Sequence, residues 1–129
     1  MSVKYLSAED ILVIHAKMID ETSGSHGVRD INLLKSLVER PKTKFGGAEM
    51  YPSVYDKAAV YLHSLCQYHV FIDGNKRTSI AVGARFLFLN GYEFMASNKE
   101  LEEFILKVVV DKLSLKIIAS WFENYSKKI

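Results

Sequence analysis

The stretch His69-Val70-Phe71-Ile72-Asp73-Gly74-Asn75-Lys76-Arg77-Thr78 decides how this chain is read. It places an imidazole, a carboxylate, a turn glycine, an amide and two cations side by side, between two long apolar-periodic runs. Val54 to Tyr68 before it and Arg77 to Asn90 after it both have helical spacing. A dense polar turn between two buried helices is unfavourable unless its groups are satisfied or used. The residues after the turn, Ile80, Ala81, Val82, Ala84, Phe86, Leu87, Phe88 and Leu89, are apolar almost all round, with Arg85 the one charge. That pattern predicts a helix buried at the centre of its domain. Asn90-Gly91 is its stop signal, and its N-terminus falls at Asn75-Lys76-Arg77, in the polar turn itself.

Working outward, the other helices announce their starts. Ser7-Ala8-Glu9-Asp10 is a capping hydroxyl followed by first-turn carboxylates, and Ile11, Ile14, His15, Met18 and Ile19 then share a face. His15 on that stripe reads as a hydrogen-bonded structural histidine. Asp30 caps a second helix with Ile31, Leu34, Leu37 and Val38 inward, stopped by Pro41. Arg29 before it is expected to form a structural salt bridge. Ser53 starts the third helix, whose inner face is Val54, Ala58, Tyr61, Leu62, Leu65 and Cys66. Ser97-Asn98-Lys99-Glu100 matches a capping box, with Leu101, Phe104, Ile105, Val108 and Val109 inward. Ser114 starts a last helix carrying Leu115, Ile118, Ala119 and Phe122 inward, and Trp121 at the core or its rim. Residues 42–52 are the long irregular segment, and Gly46-Gly47 allows a tight turn or short hairpin. The expectation is one all-α domain over residues 1–129: a compact bundle of about five or six helices around residues 76–90, with a short β-hairpin flap.

Composition bounds the function. The chain has 129 residues, 49% of them apolar, enough for one core. A net charge of +2, with lysines and glutamates interleaved along the helices, argues against direct nucleic-acid binding. No apolar run reaches transmembrane length, and Met1-Ser2-Val3-Lys4-Tyr5 lacks a signal-peptide core, so a membrane association is not expected. The lone Cys66 fits a reducing cytoplasm and reads as a small buried hydrophobe. His63 and His69 do not have the spacing of a helical zinc pair.

The polar turn carries the chemistry. A helix N-terminus presents unpaired N–H groups and a positive dipole end, which favour phosphate. Gly74 lets the backbone fold tightly enough to aim several N–H groups at one point. Lys76 and Arg77 stand where the dipole disfavours cations, so they need an anion or carboxylate partner. Asp73 beside a phosphate is repelled unless magnesium bridges the two. His69 can take a proton from a hydroxyl. Base, metal carboxylate and phosphate cradle are the parts of phosphoryl transfer from a nucleotide. Singly, each residue also has a plain reading: His69 and Asp73 as helix caps, Asn75 bonded to backbone, Lys76 and Arg77 solvated. Phe71 reads as an apolar plug that anchors the turn.

At these residues the chain resembles the Fic/Doc superfamily, in particular its death-on-curing (Doc) branch of toxin–antitoxin toxins. The signature His-x-Phe-x-Asp/Glu-Gly-Asn-Gly-Arg-x-x-Arg is matched by His69, Phe71, Asp73, Gly74, Asn75 and Arg77. Lys76 replaces a signature glycine, as in Doc, and Ile80 stands where the final arginine would fall. Gly27-Val28-Arg29-Asp30, Phe45-Gly46-Gly47 and Asn90-Gly91-Tyr92 are similar to Doc relatives as well.

The resemblance implies a mostly helical fold and ATP-dependent transfer to a protein hydroxyl: AMP transfer in Fic enzymes, phosphoryl transfer to elongation factor Tu in Doc. The departures at Lys76 and Ile80 favour Doc chemistry, with the terminal phosphate of ATP near His69. By matched position His69 is the base, Asp73 holds magnesium and helps orient His69, and Gly74, Asn75, Lys76 and Arg77 hold phosphates. Phe45, Gly46 and Gly47 correspond to a flap that docks the target. Glu123-Asn124 resembles the end of the family's inhibitory helix, but Ala119 replaces its hydroxyl, which implies inhibition in trans by an antitoxin protein. AMP transfer and a non-catalytic toxin or interaction module are the competing readings.

Overall fold

Each long helix but one begins at a side chain that accepts a backbone N–H. The computed structural model describes residues 2–129. Six α-helices follow in order: α1 Ala8–Thr22, α2 Ile31–Leu37, α3 Val54–Gln67, α4 Asn75–Leu89, α5 Asn98–Val110 and α6 Leu115–Asn124. Ser7, Ser53 and Ser97 each make a full capping box, with Asp10, Asp56 and Glu100 returning a carboxylate to the cap N–H. Asp30 caps α2 through Leu33 N, and Ser114 caps α6 through Ile117 N. α4 begins at Gly74 with no side-chain cap. α2 ends at Leu37, short of the expected stop; Pro41 instead sits in a 3-10 turn at Arg40–Lys42.

The expected hairpin is present. β1 Lys44–Phe45 pairs antiparallel with β2 Ala48–Glu49 in the register Lys44↔Glu49, Phe45↔Ala48. Gly46 and Gly47 turn it with φ of 59° and 83°, the left-handed pair that a two-residue turn requires. A second ribbon was not anticipated: β3 Tyr92–Phe94 pairs antiparallel with β4 Ser126–Lys128. The alternation in these short strands is too brief to register as a signal, and the partners lie far apart in sequence. The fold is nonetheless mostly α, as expected.

The helices share one hydrophobic cluster running from Leu6 and Ile11 through α3 and α4 to Ile118 and Phe122. Burying each large side chain such as Phe71, Phe86 or Phe122 contributes on the order of 2–3 kcal/mol. Within it, burial is distributed differently from the expectation. α3 is the most enclosed helix, buried continuously from Lys57 to Leu62 and again from Ser64 to Cys66, because α4 and α6 both pack on it. α4 buries Thr78, Ser79, Val82, Gly83, Phe86 and Leu87, but Arg85 is exposed and Phe88 is 54% exposed. Its apolar outer residues rest partly on the surface rather than under a further layer. Ile31, expected inward on α2, is likewise exposed.

Ala58 and Ala59 are fully buried where helices approach closely. Gly83 does the same for α6, since a Cβ there would lie 2.6 Å from Phe122 Cζ. Trp121 sits at the rim of the core, stacked on Phe104 at 3.9 Å. No helix among the described residues is long and apolar enough to cross a membrane.

Candidate active site

The turn between α3 and α4 is sutured to the segment before α2. Val70 O accepts N–H from both Arg29 (2.8 Å) and Asp30 (3.1 Å), and Ile72 N donates to Gly27 O at 3.1 Å. These bonds flank an isolated antiparallel bridge between Val28 and Phe71. Arg29 therefore contributes its backbone, and no ion pair of its side chain forms among the described residues, contrary to the expected salt bridge. The Asn75 amide staples the turn from within: its Oδ1 accepts Phe71 N and its Nδ2 donates to Phe71 O, both at 2.9 Å.

His15 completes the support. Its ring stacks on Phe71 at 3.7 Å and 5°. Its Nε2 lies 2.8 Å from Asp73 O. A carbonyl only accepts, so Nε2 carries the proton. The structural role expected for His15 holds; its partner, 58 residues away, could not be read from spacing.

Two residues have left-handed backbones. His69 has φ 50°, uncommon for a residue with a side chain, and its ring is exposed with no hydrogen bond fixing it among the described residues. Gly74 has φ 77°, and a Cβ there would lie 2.9 Å from Ile19 Cδ1, so the close approach of α1 also requires glycine.

Between them, Asp73 is exposed and directed by backbone. Oδ2 accepts Ser25 N at 3.2 Å, and Oδ1 accepts Gly74 N at 2.8 Å. The N–H groups of Ser25 and then Gly74, helped by the Arg77 charge, hold its carboxyl below the usual carboxylate value, so it is ionised at neutral pH. No hydrogen bond joins Asp73 to His69; the carboxylate faces the two N–H groups instead. Gly24 makes room for it, since a Cβ there would lie 2.7 Å from Asp73 Oδ2. The sequence reading missed Gly24 and Ser25, because their contribution is backbone alone.

His69, Asp73, Gly74, Asn75, Lys76 and Arg77 all line one cavity of about 380 Å³, closed by Cys66, Ile72 and Val109. No side chain caps the first-turn N–H groups of α4. Lys76 and Arg77 are exposed, and Arg77 Nη1 donates to Thr22 Oγ1 at 3.1 Å. Lys76 and Arg77 also edge a second groove of about 330 Å³, where Ile80 lies among Met18, Leu101 and Ile105. Phe45, Gly46 and Gly47 are not among the residues lining the cavity; they sit on the exposed hairpin, Phe45 at 83% exposure. Cys66 is buried with Sγ 3.1 Å from Ser79 Oγ, and burial pushes its thiol up to about 11, which suits a hydrophobe and not a nucleophile.

No cluster of three or more metal-ligating side chains exists among the described residues. Magnesium does not need one: it binds through one or two carboxylates completed by phosphate oxygens and water. Asp73, ionised and accessible beside an uncapped helix start, fits that donor set.

The family model for the Fic/DOC family matches residues 5–87, the span from α1 almost to the end of α4. The chain belongs to the Fic/Doc family. Among curated relatives it is 40% identical over 93 residues to a protein named "Toxin Doc" from Mycolicibacterium smegmatis, covering 72% of this chain and 69% of that one. It is 24% identical over 117 residues to "Protein kinase doc" of Escherichia phage P1, covering 91% of each. The Fic/Doc match includes the whole polar turn and the segment sutured to it.

Proposed function

We propose that this chain is a Doc-type toxin that transfers the terminal phosphoryl group of ATP to a hydroxyl of a translation factor, elongation factor Tu, and so halts protein synthesis. The observation that carries this reading is the uncapped start of α4 at Gly74, in one cavity with the exposed His69, Asp73, Lys76 and Arg77. The name of the phage relative, a protein kinase, supports the class of reaction.

In this reading the first-turn N–H groups of α4 with Lys76 and Arg77 bind the phosphates. Asp73 would hold magnesium, which would supply neutralisation of the phosphate charge. His69 accepts the proton of the target hydroxyl as that oxygen forms a bond to the terminal phosphorus. The bond from phosphorus to the bridging oxygen breaks, and ADP leaves. Asn75 contributes chiefly by holding the turn, since its amide already bonds the backbone of Phe71. The hairpin carrying Phe45, Gly46 and Gly47 docks the segment that bears the hydroxyl. Inhibition comes from an antitoxin in trans. Ala119 and Glu123 lie in a groove that shares no residue with the cavity, which supports inhibition in trans. The whole chain acts as one domain.

Intact mass of elongation factor Tu, incubated with this protein, ATP and magnesium, tests the proposal. A gain of one phosphoryl group is expected, and His69→Ala should abolish it while leaving the far-ultraviolet spectrum and melting temperature unchanged. A gain of one adenylyl group would mean AMP transfer. Full toxicity of a folded His69→Ala protein would leave only a binding module.

A further inference from the structure

Lys57 is the one fully buried cationic or acidic side chain among the described residues. Its Nζ donates to the carbonyls of Tyr51 and Pro52, and it lies 3.3 Å from Glu49 Oε1. Its three N–H donors thus have three acceptors. A buried ammonium is unfavourable, and an apolar residue would fill a core site at lower cost. All three acceptors belong to the rear half of the 42–52 segment, so the lysine ties that segment to α3.

The 3-10 turn that leads into the same segment is tied to the same helix. Arg40 Nη1 donates to Ser64 Oγ at 2.7 Å, and its guanidinium stands over the Tyr68 ring at 5.9 Å. Met50 N donates to Thr43 O at 2.9 Å and closes the neck of the hairpin. At the neck Met50 is 56% exposed, and beyond it Phe45 is 83% exposed. α3 therefore carries a rear pin in its first turn, a front pin about two turns later, and His69 just beyond its end at Gln67.

We propose that Lys57 is a positioning residue, which pins the β1–β2 hairpin at a fixed offset from His69 so that a polypeptide laid on the hairpin presents its hydroxyl to the imidazole. This rests on the transfer reading above, with the hairpin as its docking element. Lys57 touches neither phosphate nor target.

The test compares Lys57→Met and Glu49→Gln with the full-length wild type. Two readouts are taken: amide hydrogen exchange over residues 43–52, and steady-state transfer to elongation factor Tu. In Lys57→Met, exchange across the hairpin should rise at least about tenfold and KM for the protein acceptor roughly tenfold. KM for ATP should not move, while kcat at saturating acceptor should fall several-fold, because a bound hydroxyl at the wrong offset is poorly presented to the imidazole. Glu49→Gln, at a 40% exposed side chain, keeps the carbonyl bonds and should show the same changes at smaller size. A folded Lys57→Met protein with unchanged exchange and acceptor KM overturns the proposal. Should Lys57→Met fail to fold, Glu49→Gln decides on the same two readouts, and unchanged values overturn it. If wild type transfers nothing to the factor, the function proposal fails, and exchange alone then decides whether Lys57 pins the hairpin.

Discussion

α3 and α4 are neighbours in sequence and in the core, and they begin in opposite ways. α3 starts at Ser53, whose hydroxyl accepts Asp56 N at 3.0 Å while the Asp56 carboxylate accepts Ser53 N at 3.2 Å. α1 and α5 repeat that arrangement. α4 starts at a left-handed glycine that offers no side chain to the first-turn N–H groups, and two cations stand in that turn. Three helix starts are closed and one, beside a cavity, is open; in the proposed function those N–H groups receive a phosphate from outside.

The largest expected effect comes from erasing the difference. Gly74→Asp places a carboxylate at the open start, forces a Cβ to within 2.9 Å of Ile19 Cδ1 and strains a backbone at φ 77°. Transfer should fall by at least about 100-fold, the scale of losing a preorganised donor set, and ATP binding by calorimetry should disappear. Undiminished ATP affinity would show that the open start is not the anion site. His15→Phe keeps the stack on Phe71 but leaves Asp73 O without its donor, and should destabilise by about 1–3 kcal/mol in urea titration, with transfer reduced roughly tenfold.

Opening a closed start should do the reverse. Ser97→Ala removes the hydroxyl that accepts Glu100 N and should lower stability by about 1 kcal/mol while leaving transfer per folded molecule unchanged. The smallest effect is in acid. Ser25 and Gly74 N–H groups lower the Asp73 carboxyl from its ordinary value of 3.8, and Ser97 N–H does so for Glu100 from 4.5. A depressed carboxyl stabilises the fold above its unfolded value, and that contribution is lost as pH falls through the folded one. Urea midpoints should therefore drop below about pH 4, less steeply in Asp73→Asn and Glu100→Gln. Equal slopes in all three proteins would remove both groups from the acid limb.

Local rules made much of this legible. Ser7, Asp30, Ser53, Ser97 and Ser114 mark their helices because a cap and its first turn are adjacent in sequence. Five signature residues, His69, Asp73, Gly74, Asn75 and Arg77, line one cavity with Lys76 because they share one turn. What escaped depends on distant partners. Lys57 goes unremarked in the sequence because its acceptors, Tyr51 O and Pro52 O, are backbone carbonyls. Ser25 acts on Asp73 through an N–H that any residue would possess. The β3–β4 ribbon joins short segments with no alternation long enough to notice. The all-round apolar pattern of α4 overstated its burial, because Phe88 stays at the surface.

The bridge between Val28 and Phe71 has a consequence for the order in which the site is assembled. Its two strands of chain are separated by more than the whole of α2, the hairpin and α3, so closing it carries a loop entropy that the helices do not. Helices form in microseconds or less, and contacts of such separation follow later. A chain with α3 and α4 docked but residues 24–30 still loose has a core and most of its helices, yet Asp73 lacks Ser25 and the turn lacks its suture. In the proposed function, transfer therefore begins only once these long-range contacts have closed.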